Sequence, residues 1–158
     1  MNFRKTIILG LLVVVSINTS AQLKIGASLP TISLKNNFDE MVRLSNTNGK
    51  FLLVDFWASW CAPCRLGNKK LAKMLSTIDT SQLSIIGISL DTDKTKWIKA
   101  IEKDKVTFVQ LIDPYGFEAK TAVLFGVEVL PNKYLFDGSG KLIQINPTDE
   151  ELINLIKK

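Results

Sequence analysis

Two cysteines, Cys61 and Cys64, are the only ones in the 158-residue chain, and two residues separate them. At that spacing Cys64 can reach back to Cys61 within one helical turn. The pair can close a small disulfide, and Cys64 can attack a mixed disulfide held on Cys61. The chain has no histidine. That excludes His-based triads, His metal sites and imidazole acid-base catalysis. Proton transfer then falls to carboxylates, thiols, lysines or water. Asp55 lies six positions before Cys61 in an apolar stretch. A carboxylate there is poorly solvated, which raises its pKa. It is either an acid with a chemical role or one at a strand end pairing with a lysine.

The flanking residues predict how the pair is positioned. Phe51-Leu52-Leu53-Val54-Asp55-Phe56 is an apolar run of buried-strand length. From Arg65 to Leu75 the chain reads as a helix, with Leu71, Met74, Leu75 and Ile78 at helical spacing. Cys61 therefore sits where a strand ends and a helix begins, and Pro63 can occupy the first turn. Free N–H groups and the positive end of the helix dipole favour its thiolate. In such settings a thiol pKa can fall from about 8.5 to roughly 3.5–7.5. These residues make Cys61 the expected nucleophile and Cys64 the resolving thiol. Trp60, beside Cys61, is expected on the docking surface, and Trp57 in the packing. Arg65 either adds positive potential or is simply solvated.

The segment Val54-Asp55-Phe56-Trp57-Ala58-Ser59-Trp60-Cys61-Ala62-Pro63-Cys64-Arg65 resembles the active-site segment of the thioredoxin superfamily. Val129-Leu130-Pro131 resembles its second marker, the cis-proline loop. With the leader described below, the chain is most similar to the TlpA/ResA-like exported thiol-disulfide oxidoreductases, over roughly residues 26 to 158. The resemblance implies an α/β, thioredoxin-like three-layer fold, a central mixed sheet flanked by helices. It implies that Asp55 relays a proton to or from the resolving cysteine. It also implies that Pro131 is cis, leaving the Leu130 backbone free for an extended substrate. Substrate contacts are expected from Trp60, Ala62, Pro63, Leu130 and Pro131. The implied substrates are protein disulfides or thiols, and the implied electron donor is a membrane-embedded thiol reductant. No cofactor beyond the cysteine pair is expected. The family leans towards reduction, for instance of apocytochrome c; run backwards, the same chemistry makes a disulfide donor. Two departures stand out. Gly67 and Lys69 occupy places where the group often has an acid and a proline, and Asn132 follows the proline where Thr is usual.

Met1 to Ala21 reads as a cleaved secretory signal, with Arg4 and Lys5 ahead of an apolar core and Thr19-Ser20-Ala21 before the cut. Such a leader places the mature domain, residues 22–158, in the periplasm or another extracytoplasmic space; an uncleaved anchor is the alternative. Apolar residues make up 46% of the chain, enough for a substantial core in one domain. The net charge of +5 drops to about +3 without Arg4 and Lys5, and the lysines are spread rather than clustered. No nucleic-acid surface is expected.

Alternating residues at 32–35 and 41–44 predict a hairpin that extends the N-terminus of the domain and covers a sheet edge. A loop is expected at 46–50, a buried strand at 83–90 and a helix carrying Trp97, Ile98 and Ile101. Asp91 and Asp93 are expected to cap that helix, with a place near the active site as the alternative. Residues 106–112 form a short strand or extended loop, and 118–125 a short helix stopped by Gly126. Strands at 132–137 and 141–145 flank a turn, and a helix closes the chain from Asp149 to Lys158.

Three other functions compete with disulfide exchange. Peroxiredoxin-like thiol peroxidases share the fold but are expected to place Pro and Thr where this chain has Val54 and Ala58. A binding domain with a static disulfide needs no redox chemistry at all. A zinc site would need two chains to pool their cysteines.

Overall fold

The computed structural model describes residues 23–45, 50–79 and 81–157. The expected leader at 1–21 and positions 46–49 of the expected loop lie outside the described residues. Among the described residues seven strands form one mixed sheet: β1 Ser33–Asn36, β2 Met41–Arg43, β3 Phe51–Trp57, β4 Leu83–Ser89, β5 Val109–Ile112, β6 Asn132–Asp137 and β7 Leu142–Ile145. The helices are α1 Ala62–Leu75, α2 Lys94–Asp104, α3 Lys120–Phe125 and α4 Asp149–Ile156. Spatial order is β2-β1-β5-β4-β3-β6-β7.

All seven residues of β3 are buried, as a continuous apolar run demands of a central strand. It runs parallel to β4 and antiparallel to β6. Successive side chains point to opposite faces. On one face Leu52, Val54 and Phe56 pack with Ala122 and Phe125 of α3. On the other, Leu53 packs with Leu71 and Met74 of α1 and with Leu152 of α4. Further along that second face, Trp57 packs with both cysteines and with Trp97 and Ile101 of α2. The three layers expected from the resemblance are therefore present.

The N-terminal hairpin extends the sheet. β1 pairs antiparallel with β5 and occupies the edge that β5 would otherwise expose. Its turn is held by Asn36, whose Oδ1 accepts from Phe38 N (2.9 Å) and Glu40 N (3.0 Å). Several expected elements change extent, three of them most clearly. The strand at 106–112 is ordered as β only from Val109. The helix expected from Glu118 splits into a 3-10 turn, Gly116–Glu118, and α3, because Ala119 between them is extended. The closing helix ends at Ile156. Gly126 stops α3 as expected, at a φ of +73° that suits glycine.

Candidate active site

The end of β3 delivers the chain into a two-residue turn, and Cys61 caps α1. Its backbone is extended (φ −85°, ψ 99°), and its sulfur accepts a hydrogen bond from Cys64 N at 3.3 Å. Pro63 lies in the first turn, where no N–H is needed. Cys61 and Cys64 are joined as a disulfide, with Cα atoms 5.3 Å apart. Both are buried, Cys61 being 5% exposed, within a cluster that includes Trp57, Trp97 and Ile112.

Around this buried pair the surface is apolar and open. Trp60 is 61% exposed, its ring 6.3 Å from that of Phe117. Ala62, Pro63 and Pro131 are exposed as well. The Leu130–Pro131 bond is cis, and the β6 ladder begins only at Asn132. Leu130 packs against the cluster that holds both cysteines, so the proline loop and the cysteine turn share one end of the sheet.

Asp55 lies deeper, 1% exposed, on the β3 face that α1 covers. Burial pushes its carboxyl up to about 7, opposed by the positive charge of Lys133 on the neighbouring β6 strand. Its Oδ1 has no hydrogen-bond partner among the described residues. The carboxyl is buried, and Lys133 makes no salt bridge with it among the described residues.

The family model for the AhpC/TSA family matches residues 25–145. The chain belongs to the AhpC/TSA family. Its curated relatives include the thiol-disulfide oxidoreductase ResA of Bacillus thuringiensis subsp. konkukian, 26% identical over 87% of this chain and 79% of ResA. Among solved structures, a thiol-disulfide oxidoreductase from Bacteroides fragilis is 31% identical, covers 83% of this chain and 98% of its own, and has a TM-score of 0.75. The thioredoxin domain of a thiol-disulfide oxidoreductase from Bacteroides vulgatus is 28% identical over 86% and 97% of the two chains, also with a TM-score of 0.75.

Within this AhpC/TSA chain the structure separates roles that the sequence reading left between alternatives. Asp93 caps α2 as expected, accepting from Thr95 N and Lys96 N. Asp91 does not cap. It accepts from Ser59 N (2.8 Å), Ser59 Oγ (2.6 Å) and Ser89 Oγ (2.7 Å), and so fastens the turn before Cys61 to the end of β4. The parallel pairing of β3 with β4 brings these positions together, and that pairing was the available signal. Arg65 is partly exposed and ion-paired rather than simply solvated. It donates to the buried Asp104 of α2 and, through Nη1, to Ser59 O at 3.1 Å. Burial works against the Asp104 charge, but the hydrogen bonds and charges of Arg65 and Lys69 outweigh it and hold that carboxyl below its usual range. Lys69, standing where the resembling group often has proline, thus ties α1 to α2. Trp57 is packing, as expected, and donates Nε1 to Oε1 of Gln110 at 2.8 Å.

Proposed function

We propose that the protein is an exported thiol-disulfide oxidoreductase that reduces disulfides of other exported proteins. The observation that carries this reading is the placement of Cys61 at the N-cap of α1, disulfide-bonded to Cys64. In the proposed cycle the Cys61 thiolate attacks a substrate disulfide, and one substrate sulfur leaves as a thiolate. Cys64 then loses its proton to the Asp55 carboxylate and attacks Cys61 Sγ. The second substrate sulfur leaves, and two electrons have passed from the dithiol to the substrate. Asp55, with its pKa near 7, is matched to accept and return that proton at neutral pH.

The substrate segment lies against Trp60, Ala62, Pro63, Leu130 and Pro131; the first three flank Cys61 in sequence, and Leu130 packs against the cysteine cluster. A membrane-embedded thiol carrier restores the dithiol, and residues 1–21 direct export of the domain that begins at residue 22. Val54 and Ala58 stand where a peroxidase of this fold would carry proline and threonine; both are buried and neither offers a hydroxyl, which favours disulfide exchange over peroxide reduction.

Replacing the resolving thiol tests the assignment. Cys64→Ser retains attack but accumulates a mixed disulfide on Cys61, detected by mass spectrometry after exposure to a disulfide-containing protein. A mixed disulfide on Cys64 in Cys61→Ser, with none in Cys64→Ser, reverses the two roles.

A further inference from the structure

Among the described residues, three polar side chains are buried beneath the cysteines with hydrogen-bonding capacity unused. Asp55 on β3 has an unpartnered Oδ1, Asn68 on α1 has neither Oδ1 nor Nδ2 paired, and Gln110 on β5 gives Oε1 to Trp57 but leaves Nε2 unpaired. None is more than 2% exposed. Such groups are rare in folded proteins, and ordered water is their ordinary partner.

The fold brings the three to one level. On β3, Asp55 stands between Leu53 and Trp57 on the same face. On α1, Asn68 stands between Cys64 and Leu71 on the same stripe. Leu53 and Leu71 share one core cluster, and Trp57 and Cys64 share another. Strand and helix are therefore matched on either side of the Asp55–Asn68 level. Asn68 also follows Cys64 by one helical turn. Across the sheet, Asp55 pairs with Gly87, and Gly87 pairs with Gln110. A Cβ at Gly87 would lie 2.5 Å from Gln110 Oε1 and 2.6 Å from Nε2. The Gln110 amide thus lies over the glycine, about one strand spacing (~4.8 Å) from Asp55. Only glycine at 87 leaves that place open.

We propose that Asn68 and Gln110 are positioning residues that hold the Asp55 carboxyl, through buried water, on the path to Cys64. A buried water needs two to four polar partners. Asp55 Oδ1, the Asn68 amide and Gln110 Nε2 supply them. Through its bond to Trp57, Gln110 also couples this cluster to the wall of the cysteine pocket. The amides are neutral donors, so they stabilise the ionised form of Asp55 and keep its proton transferable.

Among the described residues the other groups that face Asp55 are few. Lys133 comes from β6, and Cys64 lies in the first turn of α1. Gly87 and Gln110 from β4 and β5 are uncharged, as are Trp97, Ala100 and Ile101 on α2 and Leu152 on α4. Asp104 at the end of α2 is already paired with Arg65 and Lys69.

This proposal rests on Asp55 as the proton acceptor of the proposed cycle, and the test separates the two. The Asp55 carboxyl is followed by carbon-13 NMR through a pH titration of the oxidised protein, in wild type, Asn68→Leu and Gln110→Met. Each substitution removes amide donors and raises the midpoint by about one pH unit or more. The pH profile of mixed-disulfide resolution moves the same way, while KM for the substrate protein stays constant. Asn68→Ala, which adds no bulk, is read identically if Asn68→Leu does not fold. Unchanged Asp55 midpoints in folded variants at both positions overturn the proposal. If Asp55→Asn instead leaves resolution and its pH profile unaltered, the relay role of Asp55 falls, while the midpoints still decide whether the amides hold its carboxyl.

Discussion

At the scale of single residues, Asp55 is where stability and chemistry pull against each other. Its pKa is about 7 in the fold, against an unfolded value near 3.9. The folded state therefore binds this proton more tightly than the unfolded chain does. Whatever stability the protonated form gives is fully present below about pH 4 and is lost as pH rises through 7. Asp55→Asn removes that loss. The variant gains at most about 4 kcal/mol over wild type above pH 8, less the cost of a buried amide, and gains nothing from this source near pH 4. Urea unfolding at the two pH values checks the sign; an equal effect at both refutes it. The same variant slows resolution by Cys64 most strongly near neutrality. The burial of Asp55 was readable from the apolar run around it. The unsatisfied amides of Asn68 and Gln110 were not, since each is a single polar residue on an element whose inward face is fixed only by packing.

At the scale of elements, the turn before Cys61 is held from two sides. Asp91 takes three hydrogen bonds from Ser59 and Ser89, and Arg65 reaches the Ser59 carbonyl. Asp91→Ala costs about 3 kcal/mol, since hydrogen bonds to a buried charge are worth about 1.5–3 kcal/mol each and partial relaxation recovers some of the sum. It also loosens the turn, so the reaction of Cys61 with an alkylating thiol reagent changes in rate after reduction. Unchanged stability and rate contradict this role for Asp91. α4 provides a control remote from the cysteines. Thr148 and Glu151 form a reciprocal capping box, and Thr148→Ala costs about 1 kcal/mol in chemical unfolding without altering cysteine reactivity. The strand-turn-helix of β3 and α1 was legible because its apolar pattern, its proline and its cysteines all point to one structure. The role of Asp91 stayed between two readings, because in Asp91-Thr92-Asp93 either aspartate satisfies the capping pattern, and only strand pairing separates Asp91 from Asp93.

At the scale of the whole molecule, the cysteine turn and the proline loop converge because β3 lies between β4 and β6. The hairpin of β1 and β2 closes the far side of the sheet against β5. A chain starting at residue 46 loses that cover, so it unfolds earlier on heating and associates through the bared β5 edge, as light scattering would record. A monomeric, equally stable truncation contradicts the edge-covering role. The hairpin itself was legible from alternation on either side of a turn. Its partner was not, since pairing between β1 and β5 joins residues far apart in sequence. The central claim concerns the whole fold in its redox cycle: Cys61 and Cys64 form a reversible couple poised for reduction. Equilibrium titration of the full protein in dithiol redox buffers measures it directly. The predicted potential lies near the value of about −270 mV found for thioredoxin. A value near −120 mV reverses the direction of electron flow, and a disulfide that does not titrate contradicts the oxidoreductase function itself.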